Sequence, residues 1–297
     1  MPGRTPFYVR ALGAVIRHTP RGRYAVLSRL APTRGRFEAR LAPDIGGATF
    51  ACDLSDQLSR EACFTGLYEP PFTRVFQRQL RPGAVVVDAG ANWGYFTLIA
   101  AAAAGPSGRV IALEPDPRQF PILERNIGLN GFTHVEALPS AAGAAAGRLT
   151  LTGYADTDAN RGTSSIATPA GGGAPRQFDV DCTTIDALTA RHSTVDLVKI
   201  DVEGAEDLVL EGMREGLAAK RYRAILLELH PALLAARGVP PEACLNLLES
   251  HGYRGWTIDA TGAAYRRAAD PATPVESLLG PLETWRATAW PHLLWLC

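Results

Sequence analysis

Residues Val85 to Thr97 read VVVDAGANWGYFT, and the rest of the chain is understood outward from them. Three β-branched residues in a row, Val85, Val86 and Val87, suit a strand buried on both faces in a parallel sheet. Asp88 ends that run. Gly90, Asn92 and Gly94 follow at alternate positions, and these residue types tolerate the tight or left-handed backbone of a strand-to-helix turn. Tyr95 to Ala104 then reads as a helix closed by Gly105 and Pro106. A helix start beside a glycine-rich turn offers unpaired N–H groups and the positive end of a dipole, where a carboxylate or phosphate can bind. The turn therefore predicts a nucleotide-like ligand.

Spacing narrows the choice. A dinucleotide fingerprint has glycine at the first, third and sixth places of the turn, which here are Gly90, Asn92 and Tyr95. A nicotinamide-dependent oxidoreductase thus fits poorly and stands as an alternative. Glu114 ends the next apolar run, Arg109 to Leu113, about 20 residues past the glycines, where a carboxylate accepts hydrogen bonds from both ribose hydroxyls. A ligand with one free ribose and no pyrophosphate would use such a site.

The segments DAGANWGYFTLIAA, GRVIALEPDPRQFPILERNIGLNG, TTIDAL, VDLVKIDVEGAEDLVLEGM and ILLELHP, in this order, resemble the successive signatures of the FkbM family of S-adenosylmethionine-dependent methyltransferases. With GLYEPPFTRVFQRQLRPG upstream, the likeness covers about residues 64 to 259. It implies a Rossmann-like enzyme that methylates a hydroxyl of a sugar, polyketide or other secondary metabolite.

Composition agrees with one large catalytic domain, since 297 residues at 46% hydrophobic content can bury a sizeable core. Thirty basic residues balance thirty acidic ones, so no net field draws the chain to nucleic acid or an anionic membrane. No apolar run is long enough to span a bilayer. The five cysteines are odd in number and lack a CxxC pair, which argues against a disulfide framework or a structural zinc and favours a reducing, cytoplasmic setting.

Residues 1–80 read as an extension: an arginine-rich, proline-broken arm without Asp or Glu, a strand pair between Phe37 and Leu54, and helices over Asp53–Phe64 and Pro71–Leu80. The arm is a surface arm or lid, or else a substrate gate or homodimer contact. Residues 81–297 read as the methyltransferase domain, a doubly wound, mostly parallel, seven-stranded α/β sheet. Core strands are expected at Val85–Val87, Arg109–Leu113, His134–Leu138, Val195–Ile200, Ala224–Leu229 and Tyr253–Ile258. A seventh lies in Ala263–Arg267 or His292–Leu296. Asp116 is expected to cap the helix after the second strand, Ala205–Gly216 to form one helix, Asp156–Gly173 a mobile loop, and Pro271–Glu283 a surface connection.

Ligands bind beyond the carboxyl ends of such strands. There Gly90, Asn92, Gly94 and the Tyr95 amide would hold the methionine end of the cofactor. Asp88 would orient its ammonium group, Glu114 with Pro115 would take the ribose, and Ser140 and Ala141 would border the adenine. Asp201 would face the same pocket, and Asn126 is a surface residue or a further site residue. Methyl transfer to an unactivated alcohol also calls for a base. The candidates are Asp201, Glu203, Glu228 and His230, with His230 or Glu203 favoured and the others orienting. No metal is expected, the weaker alternative being a divalent cation on these same four residues. Lys199 should point away from the buried face in a structural ion pair, and His192, His251 and His292 are read as structural. The expected partner is a small-molecule hydroxyl acceptor; an acceptor nitrogen or carbon, or a module that binds nucleoside without turnover, are the remaining alternatives.

Overall fold

The protein is described from a computed structural model over residues 5–18, 31–153, 164–166 and 176–297. Its strands in chain order are β1 (Arg36–Arg40), β2 (Thr49–Asp53), β3 (Val85–Ala89), β4 (Arg109–Leu113), β5 (Val135–Leu138), β6 (Ser140–Ala142), β7 (Gly147–Gly153), β8 (Ser164–Ser165), β9 (Arg176–Thr183), β10 (Leu197–Ile200), β11 (Ala224–Glu228), β12 (Arg254–Ile258), β13 (Leu279–Pro281) and β14 (His292–Leu296).

The main sheet runs β5-β4-β3-β10-β11-β14-β12-β13. From β5 to β11 neighbouring strands are parallel, and the apolar runs expected at the sequence level occupy them: Val86, Val87, Val110, Leu113, Val198, Ile200, Ile225 and Leu227 are wholly buried. The chain winds outward from β3 to β5, then returns to start β10 on the other side of β3. That reversal leaves a crevice beyond the carboxyl ends of β3 and β10.

Of the two segments offered for a seventh strand, His292–Leu296 is the strand, inserted antiparallel between β11 and β12. Ala263–Arg267 lies instead in the helix Gly262–Ala268, whose first turn is capped by the Thr261 hydroxyl on the Ala264 N–H. The sheet also has an eighth strand, β13, inside the segment expected to be a surface connection. Only three residues long, and carrying Gly280 and Pro281, it has too little strand propensity to be read ahead of its pairing with Thr257. The single helix expected over 205–216 is two, Glu206–Glu211 and Arg214–Ala218. Gly212 divides them, and a Cβ there would lie 2.1 Å from the Gly143 carbonyl oxygen.

Strands β6, β9, β7 and β8 form a second sheet beside the carboxyl ends of β3, β4 and β10. Most of the loop expected at 156–173 lies outside the described residues, and so do residues 1–4 and 19–30 of the N-terminal arm. The arm's helix, Phe7–His18, packs Gly13 on the backbone of Phe64. Val9, Ile16, Phe37, Phe64, Phe72 and Phe76 share one apolar core with Val86, Val110 and Leu226. Among the described residues, no helix is long and apolar enough to cross a membrane.

One expectation about cysteine is overturned: Cys52 at the end of β2 and Cys63 in the helix Gln57–Thr65 form a disulfide. Eleven residues apart, with Cα atoms 6.6 Å from each other, they meet only because the helix folds back on its strand. No local motif announces such a pair, and the argument for a reducing setting loses its basis.

Lys199 also departs from expectation. It is 2% exposed and turned inward, with Nζ 3.2 Å from Asp88 Oδ1, 3.4 Å from Asp201 Oδ2 and donating to the Gly90 carbonyl at 3.0 Å. The ion pair was foreseen, the direction was not. All four residues of β10 are buried, so both faces of this central strand are covered and alternation does not lead to solvent. Burial pulls the ammonium toward its neutral form, but Asp88 and Asp201 outweigh that and hold it charged. Replacing Lys199 with Met leaves Asp88 buried without a counter-charge, and urea unfolding should show a loss of about 3–5 kcal/mol in stability.

Candidate active site

The turn after β3 is shaped by contact with the turn after β10. Gly90 has φ +79, and a Cβ there would lie 1.8 Å from the Asp201 carbonyl oxygen, so only glycine fits. Asn92 takes φ 49, and its N–H donates to Glu114 Oε2 at 2.7 Å. The other Glu114 oxygen, Oε1, accepts from the Asp116 N–H at 2.8 Å. Burial lifts the Glu114 carboxyl to about 7 against the pull of these two N–H groups.

A cleft of about 730 Å³, partly open to solvent, lies over this turn. Gly90, Asn92, Glu114, Pro115, Ala141, Asp201 and Glu203 line it, all of them candidates from the sequence. Its apolar wall comes from residues not singled out there: Ala142, Leu149, Leu151, Ile166, Val202 and Leu208. Leu149, Leu151 and Ile166 belong to the second sheet and its edge. There Ser164 Oγ donates to Asp116 Oδ2 at 2.5 Å and Ser165 Oγ to the Glu203 carbonyl at 2.6 Å, so β8 bridges the two banks of the cleft. Asp116 was expected to cap a helix. Its carboxylate instead accepts from the Arg118 N–H, the Arg118 guanidinium and Ser164.

Other candidates sit beneath or beside the cleft. Asp88 is fully buried, accepting from Thr97 Oγ1 at 2.6 Å and paired with Lys199. Gly94 has φ +87, and its missing side chain makes room for Leu123. Tyr95 is buried, its phenol accepting from the Tyr68 N–H at 2.9 Å. Ser140 donates to the Asp181 carbonyl at 3.0 Å, within the second sheet. Asn126 is not on the surface: wholly buried, it accepts from the Ala51 N–H at 2.8 Å and donates to the Trp93 carbonyl at 2.7 Å, tying the turn to β2.

The four base candidates come together at the ends of β10 and β11. His230, 3% exposed, points Nε2 toward Glu203 Oε2 at 3.4 Å and Glu228 Oε1 at 3.8 Å. Its Nδ1 is 2.7 Å from Glu206 Oε1, and that same oxygen accepts from the Gly204 N–H at 2.9 Å. Glu206 is wholly buried and was not foreseen; only the fold brings it under His230. Burial pushes the His230 imidazole down, but the Glu206 hydrogen bond and the charges of Glu203, Glu206 and Glu228 lift it to about 10. The ring is an imidazolium at neutral pH. Burial raises the Glu203 carboxyl to about 7, with His230 opposing and Asp201, Glu228 and Glu206 adding to the rise. Burial also raises Glu228, next to Asp201.

His230 is not the sole histidine at this rim. His292, read as structural, opens β14 directly opposite Glu228, with Nε2 3.1 Å from Glu228 Oε2 and 3.4 Å from Glu69 Oε2. Glu69, inside the segment GLYEPPFTRVFQRQLRPG, was given no role from the sequence.

The profile of the Methyltransferase FkbM domain matches residues 88–254, which hold the turn, the cleft acids and His230. The chain belongs to the FkbM methyltransferase family. Methyltransferase sdnD of Sordaria araneosa is 30% identical over 159 residues, 44% of this chain and 60% of that protein. The AMB antimetabolite synthetase AmbE of Pseudomonas aeruginosa is 31% identical over 207 residues, 59% of this chain and 10% of that protein. The chain thus spans less than two thirds of either curated relative. Among solved structures, the methyltransferase FkbM of Methylobacillus flagellatus aligns over 87% of this chain and 56% of its own, at 15% identity and a TM-score of 0.41.

Because His230 is raised above its usual 6.5 in the folded chain, its contribution to stability is complete below pH 6.5 and disappears as pH climbs to about 10. Thermal melts across that window should shift downward for the native FkbM chain and run flatter for His230→Gln.

Proposed function

We propose that this FkbM chain uses S-adenosylmethionine to methylate a hydroxyl group of a small molecule. The observation that carries the reading is the position of Glu114: a buried carboxylate on the cleft wall, with one backbone N–H on each oxygen, so that each oxygen keeps a lone pair for a ribose diol. The donor set fits the cofactor in two further respects. Leu149, Leu151, Ile166 and Ala141 offer an apolar wall for a purine. Asp201 and Glu203, on the opposite bank, offer negative charge to an ammonium and a sulfonium. When bound, the cofactor would supply an electrophilic methyl group.

In this reading Gly90 and Asn92 shape the floor under the amino-acid end. Asp88 acts from below, through Lys199, by holding the two turns at a fixed separation. Gly94 and Tyr95 would contribute by setting the start of the helix rather than by touching the ligand, and Ser140 by fixing Ala141 in its sheet.

For proton removal the geometry favours Glu203 over His230. Glu203 lines the cleft, while the imidazolium of His230 is locked on Glu206 and has no free lone pair to take a proton. A carboxylate with a value near 7 is matched to accept a proton at neutral pH. His230 would then orient Glu203 and hold its charge, with Asp201 and Glu228 completing the rim. An acceptor oxygen suits this arrangement because an alcohol must lose its proton as it is methylated.

Calorimetry should show saturable binding of S-adenosylhomocysteine and none of NAD. Glu114→Gln should weaken that binding by about one to two powers of ten, equivalent to one charge-assisted hydrogen bond, since the Gln amide keeps one accepting oxygen. Absence of binding in a well-folded sample would remove the proposal.

With an acceptor in hand, kcat/KM should rise with pH up to about 7 and then level as Glu203 ionises. Glu203→Gln should abolish that limb and lower kcat, measured at saturating cofactor, by about 10²- to 10⁴-fold. A nucleoside-binding module without turnover would show neither effect.

A further inference from the structure

Next to the acid rim a second set of donors converges. Glu69, Glu228 and His292 each present one ligand atom, and the three atoms lie within 4.8 Å of one another. They come from separate places: Glu69 from the turn before the helix Pro70–Arg78, Glu228 from the end of β11, His292 from the start of β14. His292 is 9% exposed, and its ring is fixed against Phe72 with centroids 4.7 Å apart.

The direction of its Nε2 is the telling feature. Both carboxylates are near, at 3.1 and 3.4 Å, and the buried nitrogen is directed between the two oxygens, squarely in line with neither. An imidazole nitrogen aimed between two carboxylates, rather than at either, is the arrangement of ligands around a common centre. One nitrogen with two carboxylate oxygens suits first-row divalent cations.

We propose that Glu69, Glu228 and His292 bind a divalent cation of the Mn²⁺, Co²⁺ or Zn²⁺ class. The ligands differ from the set Asp201, Glu203, Glu228 and His230 considered from sequence, sharing only Glu228. Glu228 spends Oε2 on this site and turns Oε1 to His230, so it links the cation to the acid rim. Three protein donors leave coordination positions for water or an acceptor oxygen.

The consequence for turnover rests on the methyl-transfer reading above; the binding itself does not. A hydroxyl on the cation would be more acidic. Its proton would pass to Glu203 as the O–CH₃ bond forms and the S–CH₃ bond breaks, leaving S-adenosylhomocysteine and a methyl ether.

The test uses the full chain stripped with chelator and titrated with Co²⁺ by visible absorption and with Mn²⁺ by calorimetry. One saturable site is expected. His292→Ala and Glu69→Gln should each raise its Kd by more than about tenfold, since loss of even an outer partner of a metal typically costs that much. Asp201→Asn and Glu203→Gln should leave it in place.

Calorimetry with S-adenosylhomocysteine on His292→Ala and Glu69→Gln reports separately on the cofactor cleft and on whether these variants are folded, and circular dichroism reports folding for Asp201→Asn and Glu203→Gln. No saturable binding at millimolar metal would mean that Glu69, Glu228 and His292 form an ion triad only, from which a cation does not displace the imidazole proton, and the proposal would fall. Binding that survives in His292→Ala but is lost in Asp201→Asn would assign the cation to the other group and overturn it equally.

Discussion

The buried ammonium of Lys199 is the interaction on which the rim depends. It stands between Asp88 and Asp201 and holds the Gly90 carbonyl, so three groups from two strand ends are fixed to one charge. The close approach of Gly90 to the Asp201 carbonyl exists within that clamp. A dry ion pair contributes little net stability, because desolvation offsets much of the attraction. Its value here is geometric: the turn that carries Asn92 and the turn that carries Glu203 cannot slide apart without uncovering a charge in the core.

Around this clamp the rim holds more acid than base. Among the described residues, Asp201, Glu203, Glu206, Glu228 and Glu69 are met by Lys199, His230 and His292 at the ends of β10, β11 and β14. Crowded carboxylates away from water raise one another, as they do for Glu203 and Glu228, and lift both histidines. Such a site attracts positive charge. A sulfonium cofactor in the cleft and a divalent cation beside it would each relieve part of that excess.

Backbone strain gathers at the same place. Among the described residues, four non-glycine positions have left-handed φ, and three of them, Glu69, Asn92 and Glu203, belong to the rim. Each costs free energy that the surrounding structure must absorb. Asn92 turns its N–H onto Glu114 in this way, while Glu69 and Glu203 bring carboxylates to His292 and His230.

What the sequence determined by itself was whatever local chemistry dictates. The β-branched runs, the glycine turn from Gly90 to Gly94 and the acid closing the second core strand specify a doubly wound sheet with a polar rim, because strand burial and turn geometry are properties of a few adjacent residues. Tertiary structure decided the rest, through pairings between residues far apart in the chain. Insertion of β14 beside β11 brings His292 opposite Glu228, and the return of β10 to pair with β3, in a sheet covered on both faces, sets Lys199 beside Asp88. A helix folding back on β2 joins Cys52 to Cys63, and the second sheet roofs the cleft with Leu149, Leu151 and Ile166. Glu69 and Glu206 lie inside segments that carry the family likeness, yet, like His292, they acquire their roles only by such contacts, because partners set by strand register and packing cannot be read from the residues next to them in the chain.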